Sequence, residues 1–257
     1  MLPVSLYDEI EIRKSKSNAK SAGARIQISC DHPLVPRGEQ NIVFGAARLL
    51  LPRIDERLGI HIHIRKRIPI GAGLGGGSTD AAATLVGLNR LFKLRLSDAH
   101  LEKLALLLGA DVPFFIRARP ARARGIGERL YPLAGFPQIW IVIIYPGFPI
   151  STAWVYKNLA RKLTKPRVNT SIAPSLKSLD KLAGLLVNDL ESVTLDRYPQ
   201  IQLFKNNLLR EGAAGGLMSG SGSSVFGVFA SKRQAARALR RLGKEEGATA
   251  FLVHALS

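Results

Sequence analysis

Apolar and polar positions alternate in some stretches of this chain and recur at helical spacing in others. Residues Ile60-His61-Ile62-His63-Ile64-Arg65 alternate cleanly, as a half-buried strand does. Residues 6–13 and 25–29 also read as strands, with a polar turn over 15–23 between them. Residues 41–51 carry a helical pattern that Pro52 closes. An Ala/Leu-rich run predicts a helix over 81–91, with Ser78 or Thr79 near its N-cap. Ser97 caps a further helix over 98–108, whose positions 101, 104, 105 and 108 make one apolar face, and Gly109 ends it.

Residues 132–137, rich in Pro, Gly and Ala, predict a boundary that divides the chain into domains over 1–135 and 136–257. Beyond it, 139–145 is a continuous apolar run, the signature of a buried strand. Helical patterns follow over 152–161, 176–189 and 199–210, with a polar loop over 165–174. A strand over 224–229, a helix over 232–246 and a strand over 248–254 close the chain. Helices and strands are mixed in both halves, so the fold class is α/β (α+β).

Between the alternating strand and the Ala/Leu helix stands Pro69-Ile70-Gly71-Ala72-Gly73-Leu74-Gly75-Gly76-Gly77-Ser78-Thr79-Asp80, with five glycines in seven residues. A strand, a glycine loop and a helix N-terminus in succession suit a polyphosphate. Glycine lets backbone approach a ligand closely, and the unpaired N–H groups of a first helical turn attract an anion. A side chain at Gly76 is expected to occupy the phosphate approach. A flexible linker is the alternative, but a linker is not wedged between a strand and a helix. The stretch is not a Walker A loop, since no Gly-Lys-Ser/Thr follows, and it lacks the later acid of a dinucleotide fingerprint.

A second cluster, Gly212-Ala213-Ala214-Gly215-Gly216-Leu217-Met218-Ser219-Gly220-Ser221-Gly222-Ser223, lies in the other half. Gly220 and Gly222 flanking Ser221 predict a tight loop able to hold a second anion or to brace the first loop. Gly109-Ala110-Asp111-Val112-Pro113-Phe114-Phe115 sets an acid at a helix exit, braced by proline and two aromatics. Asp111 is there expected to be firmly held and partly desolvated. It reads either as a positioned carboxylate for acid–base work or as a turn aspartate.

Composition changes this picture little. In 257 residues, 46% are apolar and 22% charged, an ordinary globular balance. Runs long enough to span a membrane are absent, and the N-terminus has no basic segment followed by an apolar core. One cysteine, Cys30, excludes an internal disulfide and suits a reducing cytoplasm. The net charge of +18 is the unusual quantity. Its basic residues are dispersed, with clusters over 117–129 and 232–244, the second at the spacing of a solvated helix face. No RNA-recognition, zinc-finger or helix-turn-helix signature accompanies them.

The chain resembles the GHMP small-molecule kinases. The matching strings are Val4-Ser5-Leu6-Tyr7-Asp8-Glu9-Ile10, the whole of 66–82, Leu108-Gly109-Ala110-Asp111-Val112-Pro113-Phe114-Phe115, Gly125-Ile126-Gly127-Glu128, Asn188-Asp189-Leu190-Glu191 and Met218-Ser219-Gly220-Ser221-Gly222-Ser223. The triple glycine with Ser-Thr-Asp, and the string around Asp111, set it apart from mevalonate and homoserine kinases. The resemblance implies a two-domain GHMP kinase fold, with an N-terminal half like ribosomal protein S5 domain 2 and a ferredoxin-like C-terminal half. It also implies ATP as co-substrate, with Mg²⁺ on its phosphates and no assigned protein metal ligand. The acceptor would be the 2-hydroxyl of a cytidine-diphosphate-linked methylerythritol in non-mevalonate isoprenoid synthesis.

By the same resemblance, Pro69, Ile70, Gly71, Ala72, Gly73, Leu74, Gly75, Gly76, Gly77, Ser78 and Thr79 wrap the ATP phosphates. Asp111 orients or deprotonates the acceptor hydroxyl. Lys66, Tyr156, Gly220 and Ser221 fall where the family meets substrate, Tyr156 stacking on the cytosine; a core aromatic on a helix face is its alternative. The family's opening Ala-Lys-Ile-Asn-Leu strand, whose lysine pairs with the catalytic aspartate, has no counterpart in the sequence, and Lys14, Lys16 and Lys20 in the polar turn are not assigned its role. A form without that lysine is expected to bind ATP but turn over weakly. The expected enzyme is cytoplasmic, a monomer or homodimer, with a small-molecule substrate and neither nucleic acid nor membrane as partner. Another GHMP alcohol kinase, or a basic S5-like nucleic-acid-binding protein, are the competing readings.

Overall fold

The computed structural model describes residues 1–16, 25–124, 127, 129–162, 179–243 and 246–256. The chain divides into two compact units. One comprises Met1–Pro3, Tyr7–Ile68 and Gly75–Pro132; the other comprises Val4–Leu6, Pro69–Leu74 and Leu133–Ser257. The first glycine loop therefore contributes its early residues to the second unit and its last to the first.

In the first unit, β1 (Glu9–Lys16), β2 (Ile26–Cys30) and β3 (Leu58–Arg65) form a sheet of order β1-β3-β2. β3 pairs antiparallel with β1, setting Ile12 opposite Ile62, and parallel with β2, setting Ile28 opposite Ile62. The alternation read in the sequence is the cause of this arrangement. Ile60, Ile62 and Ile64 are fully buried, while His61 and His63 lie on the other face with their rings at Ser29 Oγ. α1 (Ile42–Leu50), α2 (Gly76–Leu91) and α3 (Asp98–Leu106) join the isoleucines in one core with Val43, Leu85 and Leu101. Asn41 caps α1 through Val43 N, and Ser97 caps α3 through His100 N, as its side chain predicts.

Several elements of this unit depart from the sequence reading. β1 is shifted toward the C-terminus relative to 6–13, and Val4 instead bridges Ala255 in the second unit. Lys14 and Lys16 thus lie on a strand, not in a turn; Lys20 lies outside the described residues. α2 begins at Gly76, not at the hydroxyl-capped position expected, because Gly75 in the left-handed region (φ +70°) turns the chain into the helix. α3 stops before Gly109, and the string after it forms a short helix, α4 (Val112–Arg117), which Pro113 suits since its missing N–H lies in the first turn. β4 (Ala121–Arg124) and β5 (Arg129–Pro132) form a separate hairpin.

In the second unit, β6 (Trp140–Tyr145), β7 (Gly215–Met218), β8 (Val225–Phe229) and β9 (Thr249–His254) form an antiparallel sheet of order β7-β8-β6-β9. This is the ferredoxin-like half. The apolar run of β6 is buried on both faces, from Ile141 to Ile144. α5 (Thr152–Lys162), α7 (Glu191–Arg197), α8 (Gln200–Arg210) and α9 (Lys232–Leu242) supply Val155, Val193, Ile201, Leu208 and Ala235 to the core. α6 (Leu179–Gly184) is all that the described residues show of the helix expected over 176–189; it ends at Gly184, and 185–189 are turn and loop. The polar loop over 165–174 lies outside the described residues. α9 buries Ala235, Ala238 and Leu242 and exposes Lys232, Arg233, Arg237, Arg240 and Arg241, so this basic cluster is a solvated helix face. β7 was hidden in the second glycine cluster, where Gly215 and Gly216 obscure a strand pattern.

Candidate active site

At the start of α2, Thr79 is the first residue whose N–H reaches back along the chain, donating to Gly75 O at 2.9 Å. The N–H groups of Gly76, Gly77 and Ser78 have no intrahelical acceptor, as in any first turn. Gly75 offers no side chain to cap them, and the Thr79 hydroxyl is turned to Gly75 O at 3.0 Å. A sixteen-residue helix thus presents uncapped donors at its positive end, the arrangement that holds a phosphate. Contrary to the expectation from the sequence, a Cβ on Gly76 would point away from the path of such a ligand. It would meet Ile68 Cγ2 at 3.0 Å and Lys66 Nζ at 3.3 Å, inside the protein.

Lys66, expected to meet substrate, has its side chain 5% exposed and its ammonium between two buried carboxylates. Nζ donates to Asp80 Oδ2 at 2.8 Å and to Asp8 Oδ2. Asp8 Oδ1 also accepts Arg67 N at 2.6 Å and Ile68 N at 2.9 Å. Burial pushes the Asp80 carboxyl up to about 7 against the opposing pull of Lys66. The Lys66 ammonium is held above its usual value by Asp80 and Asp8, which outweigh its own burial. The lysine is thus committed within the protein.

The second glycine loop braces the first, all within the second unit. Ser219 Oγ donates to Gly73 O at 2.9 Å, Ser224 N to Ala72 O at 3.1 Å, and Ile150 N to Gly71 O at 3.0 Å. Gly73 has φ +74°, and a Cβ there would run into the carbonyl of Ser219, so no other residue fits. Of the two residues expected at substrate, Ser221 is buried, its hydroxyl 2.9 Å from Thr152 Oγ1. Gly220 is exposed, and its carbonyl accepts Asn188 Nδ2 at 2.8 Å. The same Nδ2 reaches Met218 O at 2.9 Å, while Glu191 Oε1 accepts Met218 N at 2.8 Å and Glu191 Oε2 pairs with Lys205.

Asp111 occupies the N-cap position of α4 but caps nothing with its side chain, and it is exposed, not partly desolvated. Its Oδ1 would lie 3.7 Å from a Cβ on Gly127, so the carboxylate faces a glycine that leaves room beside it. Tyr156 is 57% exposed on α5, which removes the core-aromatic alternative. Trp154, also on α5, meets Tyr198 with ring centroids 6.3 Å apart, and Arg197 lies over both rings.

Residues 41–119 match the GHMP kinases N terminal domain, and residues 170–249 match the GHMP kinases C terminal family. A 4-diphosphocytidyl-2-C-methyl-D-erythritol kinase of Citrifermentans bemidjiense is 48% identical, over 96% of this chain and 85% of its own length. That of Syntrophotalea carbinolica is 46% identical, over 98% of this chain and 88% of its own. The chain belongs to the 4-diphosphocytidyl-2-C-methyl-D-erythritol kinase family. A crystal structure of 4-(cytidine 5'-diphospho)-2C-methyl-D-erythritol kinase, 32% identical, superposes with a TM-score of 0.79, covering 100% of this chain and 88% of that one. The two-domain GHMP kinase fold follows from the same matches.

Several residues beside the two glycine loops carry no role in the sequence reading. Asp8, Asp80, Asn188 and Glu191 all stand in strings that the resemblance quoted, yet their work is to hold backbone and ammonium groups distant in the chain. Thr152 and Thr194, which meet Ser221 at its hydroxyl and its carbonyl, carry no signal in the sequence.

Proposed function

We propose that this chain transfers the γ-phosphoryl group of ATP to the 2-hydroxyl of 4-diphosphocytidyl-2-C-methyl-D-erythritol, a step of isoprenoid precursor synthesis. The observation that carries this reading is the pair of glycine loops, one braced on the other, in a chain 48% identical to a kinase of that name. Phosphoryl transfer asks for alignment and charge neutralisation more than for covalent chemistry. The uncapped donors of Gly76, Gly77 and Ser78 hold the phosphates. Residues 69–74, fixed by Ser219, Ser224 and Ile150, keep the loop from collapsing when it is empty.

Asp111 orients the acceptor hydroxyl and takes its proton. An exposed carboxylate with no cap bond is free to do so. Tyr156, exposed on α5, offers its ring to the cytosine. Mg²⁺ neutralises phosphate charge when bound. Among the described residues no three His, Cys, Asp or Glu side chains gather to hold a metal. Lys66, Gly220 and Ser221 act on substrate only through the backbone they fix.

ADP release measured with this cytidine substrate, homoserine and mevalonate tests the assignment. Turnover confined to the cytidine substrate is expected. Equal turnover with the other alcohols would overturn it in favour of a different GHMP kinase specificity.

A further inference from the structure

The phosphate-binding reading leaves the ion cluster beneath α2 without work. Asp8 holds the backbone N–H groups of Arg67 and Ile68, the last residues before the glycine loop. Asp80 stands in the helix that follows the loop. Lys66 joins them through one ammonium, and the three side chains are 1% to 6% exposed. Asp80 Oδ1 is buried without a hydrogen-bond partner. Two carboxylates face one ammonium, so the cluster carries a surplus negative charge whenever both are ionised. The ammonium of the cluster lies against the first residue of α2, since a Cβ on Gly76 would be 3.3 Å from Lys66 Nζ, and Asp80 itself stands one helical turn further along α2.

We propose that Asp8, Lys66 and Asp80 are positioning residues that clamp the two ends of the glycine loop, and that the charge on Asp80 sets how tightly the loop holds a nucleotide phosphate. This rests on the loop being the phosphate site. An ionised Asp80 opposes an incoming phosphate across a single helical turn, where the low dielectric keeps the repulsion strong. A protonated Asp80 leaves a neutral Asp8–Lys66 pair and an unopposed helix dipole.

Burial brings the Asp80 carboxyl to about 7, so the switch falls near neutral pH. The charged groups acting on Asp80 are Lys66, after β3, and Asp8, before β1. The other elements packed on α2 add apolar groups to the shared core: Ile12 from β1, Val43 and Phe44 from α1, Leu101 from α3, Val112 from α4. Phosphate binds the protonated form better, so affinity falls as pH rises through about 7, and binding draws a proton onto Asp80.

The test is calorimetric titration of the full chain with ADP over roughly pH 6 to 8, for wild type and Asp80→Asn, in two buffers of different ionisation enthalpy. The titration of ADP itself is common to both proteins and cancels in their ratio. The wild-type Kd should rise relative to that of Asp80→Asn by roughly 5-fold or more across this range. Wild type should also take up more protons on binding. Parallel profiles with equal proton uptake would overturn the proposal alone. ADP binding to neither protein would overturn the phosphate reading of the loop, and this proposal with it. Should Asp80→Asn fail to fold, the wild type decides: no proton uptake beyond that of ADP's own ionisation overturns the proposal.

Discussion

Asp111 and Gly73 have different roles in the proposed function and call for different tests. Asp111 makes no cap bond and is exposed, so the fold gains little from its carboxylate. Asp111→Asn should therefore leave the melting temperature unchanged while kcat falls on the order of 10²–10⁴-fold, the usual loss for a positioned acid–base group. An unchanged kcat would make Asp111 a turn residue and nothing more. Gly73 is the reverse case, with no chemistry and no tolerance. Gly73→Ala asks for a side chain at φ +74° and against the Ser219 carbonyl, so the brace must open. ATP affinity should be lost in a protein that still folds; calorimetry showing wild-type affinity would remove the brace from the account. Gly76→Val differs again, because its side chain would press on Ile68 and Lys66. Overpacking of this kind costs about 1–3 kcal/mol, so nucleotide binding and stability should fall together in this variant.

Among the elements, the loop over 219–224 and the turn before α7 act as one support. Ser219→Ala removes one hydrogen bond to Gly73 O, worth about 0.5–1.5 kcal/mol, so the KM for ATP should rise about 2- to 10-fold with kcat much less affected. A fall in kcat at constant KM would show that the loop acts on the chemical step instead. The start of α2 has its own pH signature. Asp80 titrates at about 7 in the folded chain against 3.8 ordinarily, so the native state binds the extra proton between those values. Stability from this group therefore falls as pH rises through that window, and the penalty is complete above it. Asp80→Asn should flatten that slope in a denaturant series; an unchanged slope would show that Asp80 is ionised throughout.

These supports also mark where sequence reading stops. Alternation in 60–65 and the cap at Ser97 are local, and both elements lie where the pattern put them. The uncapped start of α2 was missed because a hydroxyl near a helix start reads as a cap, whereas the left-handed Gly75 does that turning. α4 was missed because a proline reads as a break unless it falls in a first turn. The sequence marks Lys66 but not its protein partners, since the burial of Asp8 and Asp80 beside it depends on residues far apart in the chain.

For the molecule as a whole, the net charge of +18 asks for a partner, and nucleic acid was one reading of it. The arrangement on α9 is a basic face over a buried apolar stripe, with Arg241 paired to Glu211 and Lys232 over the Trp140 ring. Such a helix is a solvated surface that still contributes field. ATP and a cytidine diphosphate ester are both polyanions, and a surplus of positive charge draws them by long-range attraction. That attraction is screened once the Debye length drops to about 8 Å near physiological salt. kcat/KM should thus decline steadily as ionic strength rises, while kcat, set after binding, changes little. RNA binding in a filter assay should be weak and collapse over the same salt series, since it would rest on phosphate contacts alone. A kcat/KM indifferent to salt would mean that the basic residues are too dispersed to steer these substrates. RNA binding that survives salt would instead return nucleic acid as a true partner of the basic surface.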